Sequence, residues 1–190
     1  MSLLRTRADA HAATWNAKLG GFPYASFAFH HTALRNAADV LNNGLLVSRA
    51  QLAELGLLHE DAASADVISN TDGDRQKFVR LYFRPCTPTQ WHCEGIRPES
   101  GFTAHRAHCP VPVFFLFDLP DLLTRQGTHF SDGNMASTRV SWGNTQAVFD
   151  AIPFGNVYHR GWASSAPDPA NVVFNRHAEF WFPMRCWPPT

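Results

Sequence analysis

The chain is short of charge and almost without lysine. Charged residues make up 17% of its 190 positions, and 14 of its 16 cations are arginine. Sixteen acidic residues balance them, so no broad basic face for duplex DNA or a membrane surface is expected. Arginine suits a narrower task, because its planar fork grips phosphate and stacks on bases, and a local nucleotide or single-strand groove stays open. Long apolar runs are missing too. "VPVFFLF" at 111–117 is strand-sized, far below the roughly 20 residues of a membrane span. The opening "MSLLRTRADAHAA" lacks the apolar segment of a secretory signal. A cytoplasmic protein without membrane contact is expected, with free thiols at Cys86, Cys93, Cys109 and Cys186. No Walker A loop, G-x-G-x-x-G or G-x-S-x-G occurs, which removes the phosphate-loop and α/β-hydrolase classes. Ten histidines raise the question of metal. The densest set, His92, Cys93, His105, His108 and Cys109, forms no paired C-x-x-C or H-x-x-x-H site, and no metal is expected.

What is present is ring and proline. Fifteen Phe, six Trp and 13 Pro in a chain that is 45% hydrophobic predict a ring-rich core and short segments broken by proline. No composition break divides the chain, so one domain over 1–190 is expected. Residues 1–20 read as an arm or weakly specified helix. "FAFHHT" reads as a strand, followed by a helix with Asn36 as N-cap and Gly44 just past its end, then a helix opening at Ser48. Residues 60–77 read as a polar loop. "FVRLYF" and "VPVFFLFDL" read as strands, with a helix framed by Pro120 and Gly127 after the second. "THFSDGN" and "TRVSW" read as short strand or turn pieces, "NTQAVFDAI" as a helix, and "NVVFN" and "HAEFWF" as closing strands. Mixed α+β is the class this order implies.

Three polar groups stand out in that apolar background. In "NRHAEFWFP", alternation puts His177, Glu179 and Trp181 on one face of a strand, which by itself describes a solvated face. In "FHHT", His30 and Thr32 point one way from a strand that runs straight into a helix. In "LYFRPCTPTQW", Arg84 ends a hydrophobic strand before a proline-stiffened loop, a placement that aims a cation into a cleft or simply ends a strand.

Taken in order, these segments resemble one family. "HHTALRNAADVLNNGLL" is similar to the H-x-T, Asn and G-L-L of the DarT family of DNA ADP-ribosyltransferase toxins. "LYFRPCTPTQW", "FSDGN" and "RHAEFWF" are similar to its Y-F-x-P loop, its [ST]-D-G-[NH] turn and its R-x-A-E-F strand, over about residues 27 to 182. The resemblance implies the ADP-ribosyltransferase fold, split mixed β-sheets around a cleft that holds NAD. It implies NAD as co-substrate, loss of nicotinamide, and capture of the ribose cation by a base in single-stranded DNA. Glu179 then stabilises the cation, and the aromatic neighbours exclude water. His30, Thr32, Asn36, Gly44, Tyr82 and Arg84 fall on cofactor-binding positions, with Arg84 also a catalytic candidate. Gln90, Asp132, Asn134 and Trp142 are the substrate-binding candidates, with Gly133 inside the D-G-N turn. Trp142, Tyr158, Trp162 and Trp181 are candidate stacking platforms whose ordinary role is core packing. In the thymidine-modifying members an arginine follows the Y-F-x-P motif, where this chain has Cys86, and that departure favours guanine over thymine. The family's partner is a macrodomain antitoxin, and a monomer is expected. The same fold acting on protein or RNA, and an inactive NAD- or nucleic-acid-binding module, are the alternatives.

Overall fold

The structure, a computed structural model, describes residues 3–57, 73–96, 98 and 109–183. The expected loop at 60–77 falls mostly outside these residues, as do His105, His108 and Cys186. Among the described residues six strands form a sheet: β1 Phe27–Ala33, β2 Val79–Tyr82, β3 Pro112–Asp118, β4 His129–Ser131, β5 Trp142–Gly143 and β6 Glu179–Phe182. Their order is β3-β1-β2-β6-β4-β5, and every strand pairing is antiparallel.

The sheet is divided near its middle. β1 pairs with β3 along its whole length, from Phe27↔Asp118 to Ala33↔Pro112, and β2 pairs with β6 from Val79↔Phe182 to Tyr82↔Glu179. Between β1 and β2 a single register pair, Phe29↔Tyr82, holds the halves together. The expected split is thus a place where one sheet parts, and Tyr82 and Glu179 sit beside it.

The core lies on one face. Leu81, Phe83, Phe130, Phe180 and Phe182 are buried there, because residues two apart on a strand share a face and paired residues across strands do as well. Phe180 meets Phe83 at 5.9 Å edge-on and Phe130 at 6.3 Å. Within the expected arm, Leu3–Leu19 form a helix, α1. Ala8, His11 and Ala12 are buried with Leu4, Trp15 and Leu19 packed alongside, a stripe at three- and four-residue spacing whose small members let the helix approach closely. His11 fits among Phe149, Phe154 and Tyr158, its Nε2 3.0 Å from the Tyr158 hydroxyl. Burial pushes this imidazole down to about 4, so it is neutral in the core.

Several local expectations change. "NVVFN" belongs to a helix, Pro169–Asn175, not a strand: Asp168 caps it by accepting from the Asn171 N–H, and Pro169 occupies its first turn. That capping signal outweighs the β-branched pair. Asn36 does not cap the helix after β1. Leu34–Asn43 begins after Ala33, which leaves Asn36 in its first turn. Gly44 does end that helix, at φ 62°, the left-handed conformation that glycine adopts without a Cβ penalty. Ser48 caps Arg49–Glu54. Asp118, two residues before Pro120, caps Leu119–Leu123, which ends before Gly127. Of "TRVSW" only the tryptophan enters a strand.

Phe180 sits at the centre of the ring cluster, so Phe180→Ala is expected to cost about 3–5 kcal/mol of unfolding free energy. A urea melt checks this, and a loss below about 1 kcal/mol would place the core elsewhere.

Candidate active site

Glu179 opens β6 after the sharp turn in which the Ala178 N–H donates to the Asn175 carbonyl. It is 1% exposed, which overturns the picture of a solvated face. Both faces of β6 are covered. The backbone N–H of Met135 donates to Oε2 at 3.4 Å and the indole N–H of Trp181 donates to the same oxygen at 2.7 Å. Burial pushes the carboxyl above its ordinary range, while Arg80 and the two N–H donors favour the charged form and hold it back. Arg80 lies over the Trp181 ring at 4.9 Å, so cation, indole and carboxylate form one group.

Tyr82 stands directly across from Glu179. Its neighbour on β1 is His31, whose ring stacks on Tyr82 at 5.5 Å with an interplanar angle of 25°. Alternation explains why. His31 shares a face with Phe29, the residue paired with Tyr82. His30 takes the other direction, across the split, where its Nδ1 lies 2.9 Å from the Arg80 carbonyl. A carbonyl only accepts, so Nδ1 carries the proton. Burial lowers the pKa of both imidazoles, that of His31 to about 4, and both are neutral near pH 7. Thr32 accepts from the Asn36 side chain at 3.3 Å, which ties the H-x-T segment to the first turn of the next helix.

The D-G-N turn reaches the same carboxylate. Asp132 accepts the Ser141 N–H on Oδ1 and its carbonyl accepts from Asn175 at 2.8 Å. Asn134 accepts the Ala136 N–H. Ser131 donates to the Gly133 carbonyl at 2.7 Å and accepts the Glu179 N–H at 3.3 Å. A Cβ on Gly133 would stand 2.3 Å from the Phe174 ring, so only glycine lets that ring pack against the turn.

The other candidate residues make the following contacts. Arg84 donates to the carbonyls of Pro85, Val157 and His159, and Arg176 donates to those of His159 and Gly161. Two cations therefore clamp the loop at 157–161. Burial lowers Arg84 to about 10 with Arg176 adding repulsion. Gln90 is buried, accepting the Cys86 N–H and donating to Glu94, so it shapes the loop after β2. Cys86 itself is exposed at φ 57°. Gly44 serves the turn after its helix. Among the candidate platforms, Tyr158 and Trp181 are buried, whereas Trp142 and Trp162 are exposed. Trp142 carries Arg75 at 5.4 Å over its ring. His31, Arg80 and the Met135 N–H were passed over in the sequence. Period-two spacing from Phe29 and Tyr82 marks the first two, while nothing local marks the third. Among the described residues no group of His, Cys, Asp and Glu could hold a metal ion.

The arrangement offers a buried carboxylate, which a sugar hydroxyl can meet as donor, beside a Tyr82–His31 wall on which a flat ring can stack. The sequence model of one family, described as ssDNA thymidine ADP-ribosyltransferase, DarT, matches residues 29–186. Three solved structures of DarT from Thermus sp. 2.9 share the fold, each at 14% identity over 85% of this chain. The complex with ADP-ribosylated ssDNA superposes at a TM-score of 0.66 over 77% of that chain, and the complex with NAD+ at 0.63 over 77%. The complex with carba-NAD+ gives 0.62 over 78%. No curated protein matches the chain.

Trp181→Phe keeps the ring and removes the N–H that favours the charged carboxylate. The Glu179 pKa then rises further, so the acid limb of an activity that needs the carboxylate moves to higher pH. A pH profile of nicotinamide release measures this, and an unmoved acid limb would separate Trp181 from the carboxylate.

Proposed function

The chain belongs to the DarT family of ADP-ribosyltransferases, and we propose that it transfers ADP-ribose from NAD to guanine in single-stranded DNA. The observation that carries the chemistry is Glu179, a buried carboxylate facing Tyr82 at the parting of the sheet. NAD supplies a pyridinium leaving group, so the bond between nicotinamide and ribose breaks with its electron pair going to nicotinamide. Glu179 accepts a hydrogen bond from the ribose and stabilises the positive charge developing there, an interaction stronger in the transition state than in the ground state. Trp181 and the Met135 N–H fix the carboxylate in one orientation. Tyr82 and His31 supply the wall for the nicotinamide ring, with His30, Thr32 and Asn36 around the ribose. Burial keeps both imidazoles neutral, so neither adds a positive charge beside a cation. The exocyclic amine of guanine forms the new bond to the ribose carbon and releases one proton to water.

The choice of guanine rests on the loop after β2. Cys86 stands where thymidine-modifying members carry an arginine, and Arg84 is engaged by backbone carbonyls. A thymine ring nitrogen must lose its proton to attack, whereas an amine attacks before losing one. A single strand leaves the base edge open, and a chain of zero formal net charge grips it by stacking and a few arginines, with Trp142 and Asn134 on the approach. We read residues 1–190 as one monomeric, cytoplasmic domain. No helix among the described residues is long and apolar enough to cross a membrane. As a toxin of this chemistry it requires an antitoxin that removes ADP-ribose, a macrodomain protein.

Labelled NAD incubated with four single-stranded oligonucleotides, each lacking one base, tests the reading. Label is expected on all but the strand without guanine. Label missing only without thymine would reassign the base, and label on none would remove the DNA-modifying activity.

A further inference from the structure

Behind the D-G-N turn lies a second feature that the transfer mechanism does not use. Asp132, Arg139, Asn156, Asn171, Phe174 and Asn175 line an open pocket of about 320 Å³, within the size of small-molecule sites, roughly 300–1,000 Å³. Arg139 lies 3.9 Å over the Phe174 ring. It has no carboxylate partner among the described residues. Asn175 is fixed by donating to the Asp132 carbonyl and accepting from Asn156. Asp132 uses Oδ1 on the Ser141 N–H, and Asn171 uses its amide nitrogen on Asp168. Asp132 Oδ2 and the amide oxygens of Asn156 and Asn171 remain as acceptors, beside the N–H fork of Arg139.

We propose that this pocket binds a guanine base of the DNA strand. Guanine alone among the four bases carries two adjacent donors, N1–H and the N2 amine, on one edge and two adjacent acceptors, O6 and N7, on another. The carboxylate and amide oxygens take the first edge, and the arginine fork takes the second. Thymine would set a carbonyl oxygen where guanine sets its amine, and adenine and cytosine lack the paired donors. The Phe174 ring under the guanidinium holds the arginine fork in place. The pocket shares its turn with the catalytic group: Asp132 lines it, and Met135, three residues on, donates to Glu179. The inference rests on the proposal that single-stranded DNA is the substrate, and concerns a guanine other than the one modified, whose exocyclic amine must stay free to attack.

Fluorescence anisotropy without NAD, so that no transfer can occur, tests it with two labelled single strands, one all thymine and one with a central guanine. The guanine strand is expected to bind about tenfold tighter. Inosine, which lacks the N2 amine, and 7-deazaguanine, which lacks N7, should each bring that ratio toward one, as should Arg139→Ala. A ratio that persists in Arg139→Ala overturns the assignment, including the case where both strands weaken equally because Arg139 grips phosphate. A preference for the guanine strand that persists in an Arg139→Ala protein still able to transfer ADP-ribose would remove the pocket and leave the enzyme reading intact. Guanine-selective binding without any transfer by the parent protein would support the pocket and remove the enzyme reading.

Discussion

A carboxylate that must stay charged is buried among rings, and the site is organised around that constraint. Taking Glu179 out of water disfavours its ionised form. Three features oppose the penalty: the Trp181 indole, the Met135 backbone N–H and the Arg80 charge. Each comes from a different piece of chain, so the carboxylate can be held only if β6, the D-G-N turn and β2 are all in place. Dry surroundings then strengthen its field at the point where positive charge develops.

The single pairing between β1 and β2 has the complementary role. A fully zipped sheet would bring those backbones together along their length and leave no room beside Tyr82. With one register pair, the sheet parts enough for His30 to cross to the Arg80 carbonyl and for His31 to lie on Tyr82. The opening has firm walls, since β1 is zipped to β3 on one side and β2 to β6 on the other. Arg84 and Arg176 hold the loop at 157–161 by its carbonyls, which keeps the approach to β6 in shape.

How far the sequence discloses this depends on the range of the forces involved. Glu179 was legible, because a charged residue inside an aromatic strand breaks a local pattern. So were the cap at Ser48, the glycine at 44 and the α+β class, all set by neighbours a few positions away. The cover over Glu179 was not, since Met135 lies 44 positions away and no periodicity records a tertiary contact. The contacts of Arg84 are illegible for the same reason: its fork closes on carbonyls more than 70 positions along the chain. The helix at Pro169–Asn175 was missed although its signal is local, with Asp168 and Pro169 standing in plain order before it. There the β-branched pair Val172–Val173 favours a strand and the cap overrides it. The H-x-T spacing marks His30 and Thr32 on one side of β1, and His31, facing the other way, joins the site only through its stacking on Tyr82.

The most direct test of the account is a single-turnover rate of nicotinamide release for parent and Glu179→Gln proteins, with NAD affinity measured separately on both. Glutamine keeps the shape and removes the charge. The account predicts a rate lowered by roughly 10²–10³ with NAD affinity changed by no more than about threefold, because the carboxylate acts on the transition state and not on the bound substrate. A rate within about threefold of the parent, or a loss explained wholly by weaker NAD binding, would contradict the central role given to Glu179.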